Sequence, residues 1–337
     1  MARRALEGLP RIIGSTPLIE LERLAPGFRS RVLIKAERFN PGGSIKDRTA
    51  LSMLLGAIES GALDPERAVV IESSSGNLGV GLAQICRYFG LRFICVIDAK
   101  TTRRNLELLR AYRAEVELVD QPDPESGEFL PARLRRVREL VAATPFAYWP
   151  NQYANPDNPR AHQQTMQEID LALDGGIDYL FASVGTFGTM RGCAEYIRER
   201  GLKTRIIGVD AVGSVIFGQR PAPRLLPGHG ASIRPPLTDL SLVDEVVHVS
   251  DLESVVGCRK LVQREAILAG GSSGAVTAAL LGYRHRIPEG STCVLIHPDG
   301  GDRYLDTIFN DAWVLEKFGE ISHLWKEEPF EPAPVAG

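Results

Sequence analysis

The stretch Asn40-Pro41-Gly42-Gly43-Ser44-Ile45-Lys46-Asp47-Arg48 reads as a turn that delivers one lysine to the start of a helix. Leu51, Leu54, Leu55 and Ile58 follow at i, i+3, i+4 and i+7, the spacing of an amphipathic helix ending near Gly61. Lys46 therefore falls in the first turn, where the positive end of the helix dipole disfavours a cation. Two readings of it stand on these residues alone. It is a solvated first-turn lysine, or it is an amine whose pKa is pulled down so that it can attack a carbonyl and form a Schiff base.

Working outward, Ala68–Glu72 is a short β-branched run suited to a buried parallel strand. It opens directly into Ser73-Ser74-Ser75-Gly76-Asn77-Leu78-Gly79. Leu78, Leu82, Ile85 and Phe89 then mark a helix closed by Gly90. Leu18–Leu21 and residues 92–97, 115–119, 178–184, 205–210 and 292–297 are expected strands, and Arg31–Glu37 reads as an alternating one. Helices are expected around residues 103–112, 130–141, 189–200 and 253–268, and from the polar cluster 151–159 to about Leu173. Residues 211–240, rich in Pro and Gly, read as loops. Strands alternating with helices predict parallel α/β architecture, in which ligands bind where loops leave the carboxyl ends of strands. Three small, polar loops occupy such places: 73–79, 185–189 and 270–274, the last expected to precede a helix.

A chain of 337 residues forms two domains or one large α/β domain. With 44% hydrophobic and 24% charged residues its composition is that of an ordinary globular protein, and a net charge of −3 provides no basic field for nucleic acid or anionic lipid. The five cysteines are odd in number, widely spaced and without a CxxC pair, which predicts buried free thiols in a reducing compartment. Met1-Ala-Arg-Arg-Ala-Leu-Glu7 lacks an apolar signal core, and no apolar run approaches a membrane span, so a cytoplasmic protein is expected. The six histidines have no ligand spacing and predict no metal site, and His297 on its apolar strand reads as a core residue. Residues 1–10 read as a loose lead-in and 326–337 as a disordered tail.

The loops carry the chemistry. In Gly185-Thr186-Phe187-Gly188-Thr189, glycines let backbone N–H groups approach a ligand, hydroxyls can donate, and a helix N-terminus stands behind, a combination that suits phosphate as well as an ordinary turn. Ser74-Ser75-Gly76-Asn77 offers two hydroxyls and an amide for a carboxylate, although an N-cap accounts for one serine. Ser272 in Gly270-Gly271-Ser272-Ser273-Gly274 is an N-cap or a donor to an aromatic nitrogen.

Together with Gly-Ser-Thr-Pro-Leu (14–18) and Pro-Asp-Gly-Gly-Asp-Arg-Tyr (298–304), these motifs, in this order, resemble the cysteine synthase and cystathionine β-synthase family, the fold type II pyridoxal-phosphate enzymes. That resemblance implies two parallel-sheet α/β domains with the active site between them. Residues 1–47 plus 151–325 would form the large cofactor-binding domain, and 48–150 a small mobile domain whose closure excludes water. It implies pyridoxal 5'-phosphate as cofactor and a homodimer. Lys46 would be the Schiff-base lysine and general base, and Asn77 would meet the cofactor's phenolic oxygen. Gly185, Thr186, Gly188 and Thr189 would cradle its phosphate, and Ser272 would meet the pyridine nitrogen. Ser74, Ser75 and Gln152 would hold the substrate carboxylate. A neutral serine at the ring nitrogen suits β-elimination through an aminoacrylate.

The departures have direction. Leu78 stands where the family usually has threonine, and Phe187 where glycine is usual. Residues 72–79 and Asn151-Gln152-Tyr153-Ala154-Asn155 look closer to the branch that joins O-phospho-L-serine to L-glutamate on the way to 2,3-diaminopropionate for siderophores. Such anionic substrates call for cations. Arg133 and Arg136 share a helical face, Arg103 and Arg104 lie on the same expected domain, and Arg133 and Tyr153 are the candidate substrate contacts, against a plain solvated basic face. Sulfide as nucleophile, as in cysteine synthase proper, is the nearest alternative. A catalytically silent binding or regulatory module on this fold is the second.

Overall fold

Short β-branched runs supply the strands, and among the described residues they sort into two sheets. The computed structural model describes residues 7–125 and 127–326, so residues 1–6 of the expected lead-in and the expected tail from 327 on lie outside the described residues. The larger sheet contains β1 (Leu18–Glu20), β2 (Arg31–Ala36), β7 (Tyr179–Ser183), β8 (Arg205–Ala211), β9 (Glu245–Val249) and β10 (Thr292–His297). Its order is β1-β2-β10-β7-β8-β9, parallel throughout except for β1 against β2. The smaller, all-parallel sheet contains β3 (Val69–Ser73), β4 (Arg92–Asp98), β5 (Glu115–Val119) and β6 (Ala147–Tyr148) in the order β5-β4-β3-β6.

The helices are α1 (Lys46–Glu59), α2 (Asn77–Phe89), α3 (Arg103–Ala111), α4 (Phe129–Ala143), α5 (Asp157–Leu173), α6 (Gly188–Glu199), α7 (Asp251–Glu265), α8 (Gly271–Tyr283) and α9 (Asp311–Phe318). On the larger sheet, α7 and α8 share one core with β2, β7, β8 and β10, and α5 and α6 share the other. On the smaller, α1 and α2 cover one face and α4 the other. Full burial of one Leu, Ile or Phe stabilises by roughly 1.5–3 kcal/mol, so these faces hold the helices in place.

Several expectations are corrected. Arg31–Ala36 does not alternate: every residue from Val32 on is buried, because β2 lies inside the sheet with helices over both faces. The deepest face of α1 is Ala50, Met53, Leu54 and Ala57, shifted from the Leu51, Leu55 and Ile58 stripe because the helix is wedged between α2 and α5. Gly81 permits this wedge, since a Cβ there would stand 3.1 Å from the carbonyl oxygen of Lys46. Residues 271–274 lie inside α8 instead of preceding it, and Ser272 is not its cap. α5 takes in the end of the polar cluster by starting at Asp157, and a 3-10 turn over Leu9–Ile12 replaces part of the lead-in.

Three loops meet at the carboxyl ends of β2 and β10. Ser44 pairs with Asp299, and Ala269 with Gly300. The Ile45 amide donates to Pro298 O at 2.8 Å, and Gly301 N to Leu268 O at 3.1 Å. Lys46 is thereby fixed beside the start of α8.

Candidate active site

Lys46 is half-buried and opens α1, as its place after the Gly-Gly turn requires. Burial pulls its amine down to about 8, and the nearby Asp299 carboxylate opposes that only in part. Two residues on, Arg48 is 4% exposed and fully engaged. Its Nε donates to Glu37 Oε2 at 2.7 Å, and Nη1 and Nη2 each donate to the Glu168 carboxylate at 2.7 Å. Lys35 Nζ donates to the same carboxylate at 2.7 Å and to Thr16 O.

The loop after β3 leads into α2, which packs on α1. Ser74 Oγ accepts from Gly79 N at 2.9 Å and from Gly76 N at 3.3 Å, so the serine turns the chain into α2. Ser75 Oγ accepts from Arg133 Nη1 at 3.1 Å, and Arg133 Nε stands 3.0 Å from Asp98 Oδ2. Of the basic residues expected near the mouth, only Arg133 reaches this loop. Arg136 is occupied by Glu117 and Glu139, and Arg103 by Glu107, all on the outer surface. Gln152 is buried, with Nε2 donating to Ser73 O at 3.2 Å and its amide to Glu72 Oε2 at 3.1 Å. Glu72 also accepts from Trp149 Nε1, and burial raises its pKa to about 7. Tyr153 lies within the electrostatic reach of Arg133 and Arg224, and burial raises its hydroxyl pKa.

The 185–189 loop leads into α6. Asn158 Nδ2 donates to both Gln152 O (2.7 Å) and Thr186 Oγ1 (3.1 Å), tying this loop to the Gln152 segment. Only glycine fits at 188, where a Cβ would lie 2.0 Å from Asn158 Oδ1. His162, kept neutral by burial, has Nε2 at 3.1 Å from Thr49 Oγ1 and 3.4 Å from Thr189 Oγ1. Gly228 stands beside this loop and beside Ser272. A Cβ on it would come 3.7 Å from Ser272 Oγ, and one on Gly185 would come 3.5 Å from Gly228 O.

The two departures from the family pattern turn inward. Leu78 is 2% exposed in the core of the smaller sheet. Phe187 is 1% exposed with its ring 6.2 Å from that of Phe217, and its φ of 70° explains why glycine is usual there.

Sequence reasoning assigned no role to Asp299, Arg303, Asn158 or His162. Asp299 and Arg303 sat inside the quoted 298–304 motif, the one signal available. Asn77 Nδ2 donates to Asp299 Oδ2 at 2.8 Å, Tyr304 OH donates to the same oxygen at 2.8 Å, and Arg303 donates to Asn77 Oδ1 and to Gly42 O. His297, as a core residue, has Nε2 3.1 Å from Thr277 Oγ1 while its Nδ1 is unpartnered.

A desolvated lysine, a glycine-walled loop at the start of α6 and buried neutral hydroxyls fit pyridoxal phosphate: an aldehyde for Lys46, a phosphate for the helix N-terminus, a ring nitrogen for Ser272. Fold and site thus define an enzyme built around that cofactor. The family profile of pyridoxal-phosphate dependent enzymes matches residues 9–299, and the chain belongs to that family. It is 45% identical over 303 residues, 90% of this chain and 89% of the relative, to N-(2-amino-2-carboxyethyl)-L-glutamate synthase of Ralstonia nicotianae. Among solved structures, O-acetylserine dependent cystathionine β-synthase from Helicobacter pylori is 32% identical with a TM-score of 0.82, over 90% of this chain and 98% of that one. Cysteine synthase from Entamoeba histolytica is 33% identical with a TM-score of 0.83, over 91% of each chain.

Proposed function

We propose that the protein catalyses a β-replacement that joins O-phospho-L-serine to L-glutamate, giving N-(2-amino-2-carboxyethyl)-L-glutamate and phosphate, a precursor of 2,3-diaminopropionate for siderophore synthesis. The observation that carries this reading is Arg133, whose guanidinium is held on Ser75 of the carboxylate loop by Asp98, where an anionic serine derivative would arrive. The 45% identity to a relative of that name supports it.

The bound cofactor supplies the electron sink that lets the substrate's α-proton and β-substituent depart. Lys46 Nζ takes that proton, and its lowered pKa leaves much of it neutral and able to do so near pH 8. Ser74, Ser75 and Gln152 orient the substrate carboxylate. Asn77 donates to the phenolic oxygen, and Gly185, Thr186, Gly188 and Thr189 hold the cofactor phosphate. Ser272 offers the ring nitrogen a neutral partner. Arg133 and Tyr153 meet the departing phosphate, the glutamate amine forms the new C–N bond at the vacated β-carbon and gives up one N–H proton, and Lys46 returns the proton to the α-carbon. The reading also takes the protein as a cytoplasmic homodimer acting on free amino acids.

The test is mass spectrometry of products from O-phospho-L-serine or O-acetyl-L-serine, each with glutamate or sulfide. A glutamate adduct from phosphoserine is expected, and Arg133→Met should lower kcat/KM for phosphoserine about 10–100-fold while changing that for acetylserine far less. Cysteine as the main product would assign the chain to cysteine synthesis instead.

A further inference from the structure

Asn77 opens α2, directly after the loop that follows β3 of the smaller sheet, while Asp299 and Arg303 belong to the segment after β10 of the larger one. An asparagine amide can present either its oxygen or its N–H groups to a ligand, according to how it is turned. Here it has no such choice. Its Oδ1 accepts from Arg303 Nη1, and one N–H donates to Asp299 Oδ2 at 2.8 Å. Reversing the amide would set an N–H against a guanidinium and an oxygen against a carboxylate. One N–H is left over, and it is the only donor the Asn77 side chain can offer a ligand.

The surroundings hold the two partners in turn. Asp299 is 2% exposed, and Tyr304 OH donates to the same oxygen at 2.8 Å. Its other oxygen, Oδ1, is buried and unpartnered beside Gly270, where a Cβ would stand 2.0 Å away. Arg303 Nη2 donates to Gly42 O, in the turn that leads to Lys46. Arg303 thus spans the Lys46 turn and the Asn77 loop.

We propose that Asp299 and Arg303 are positioning residues that lock Asn77 as a hydrogen-bond donor toward the cofactor and hold it in register with the Lys46 turn. This rests on Asn77 meeting the phenolic oxygen, but not on which nucleophile or leaving group the enzyme uses.

The test is titration of apoenzyme with pyridoxal 5'-phosphate, following the affinity and the absorption maximum of the bound cofactor as a function of pH, beside the melting temperature of each apoenzyme. Arg303→Met should weaken cofactor binding about tenfold, the scale of one lost hydrogen bond to a charged group, and displace the pH midpoint of the absorption band. Arg303→Lys should recover part of both. The isosteric Asp299→Asn should move the band in the same direction and serves as the deciding variant if Arg303→Met does not fold. Wild-type affinity and an unmoved band in folded Arg303→Lys and Asp299→Asn overturn the proposal. Asn77→Ala separates the levels: an unchanged spectrum there overturns the role of Asn77 itself, whereas a changed one with silent Asp299 and Arg303 variants overturns only the lock.

Discussion

Lys46 and Arg48 stand two residues apart on α1, both withdrawn from water, and their surroundings drive them to opposite ends. Burial lowers the Lys46 pKa to about 8. Burial also works against Arg48, but Glu168 and Glu37 more than offset it and raise the pKa of the guanidinium. Glu168, which burial alone would raise, is brought down to about 2 by Arg48. Desolvation is common to both sites, and partnership separates them. A paired cation becomes a structural bolt, while one without an ion-pair partner is held partly neutral and so is available as a nucleophile or base.

Three experiments break or sharpen this contrast. Lys46→Ala should cost about a thousandfold or more in turnover, and borohydride reduction should no longer leave cofactor mass on the protein. Turnover within tenfold of wild type would remove Lys46 from the chemistry. Arg48→Met should instead act on stability, leaving the buried Glu37 carboxylate without its cation and Glu168 with Lys35 alone, at a cost of about 3–5 kcal/mol in urea unfolding. The two sites should also answer to different pH windows. Folded Lys46 holds fewer protons than the unfolded chain between about 8 and its ordinary 10.5, so apoenzyme stability gains from it as pH rises through that window. The rate of cofactor capture should rise about tenfold per unit below pH 8 and flatten above it. Glu168 contributes stability above its ordinary 4.5, lost as pH falls toward about 2. A capture rate that still climbs to pH 10.5 would mean that Lys46 is not desolvated.

Local signals carried much of this to the reader of the sequence. Turn chemistry placed Lys46 in the first turn of α1, and β-branched runs placed β5 and β10 at their observed limits. What needed the third dimension was less legible. β9 is not among the expected strands although Val246, Val247 and Val249 make a β-branched run there, and α9 packs on the α7 side of the molecule through a few aromatics. Arg133 is the expected contact, but no local rule separates it from Arg136 on the same face; the position of the Ser75 loop does. Leu78 and Phe187 look like altered ligand groups in a motif, yet they are interior side chains. Asp299 and Asn77 lie 222 positions apart, and no local rule links them.

All five cysteines are buried and unpaired, and they are shared between the two sheets. Cys86 and Cys95 lie in the core of the smaller sheet, while Cys193, Cys258 and Cys293 lie in cores around the larger. Burial also raises every one of these thiols, to about 12 or beyond, so little reactive thiolate exists in the native state. Each thiol can react only when the wall around it opens. The molecule therefore carries two sets of native clocks, and the pace of thiol labelling at each would time the breathing of one sheet independently of the other.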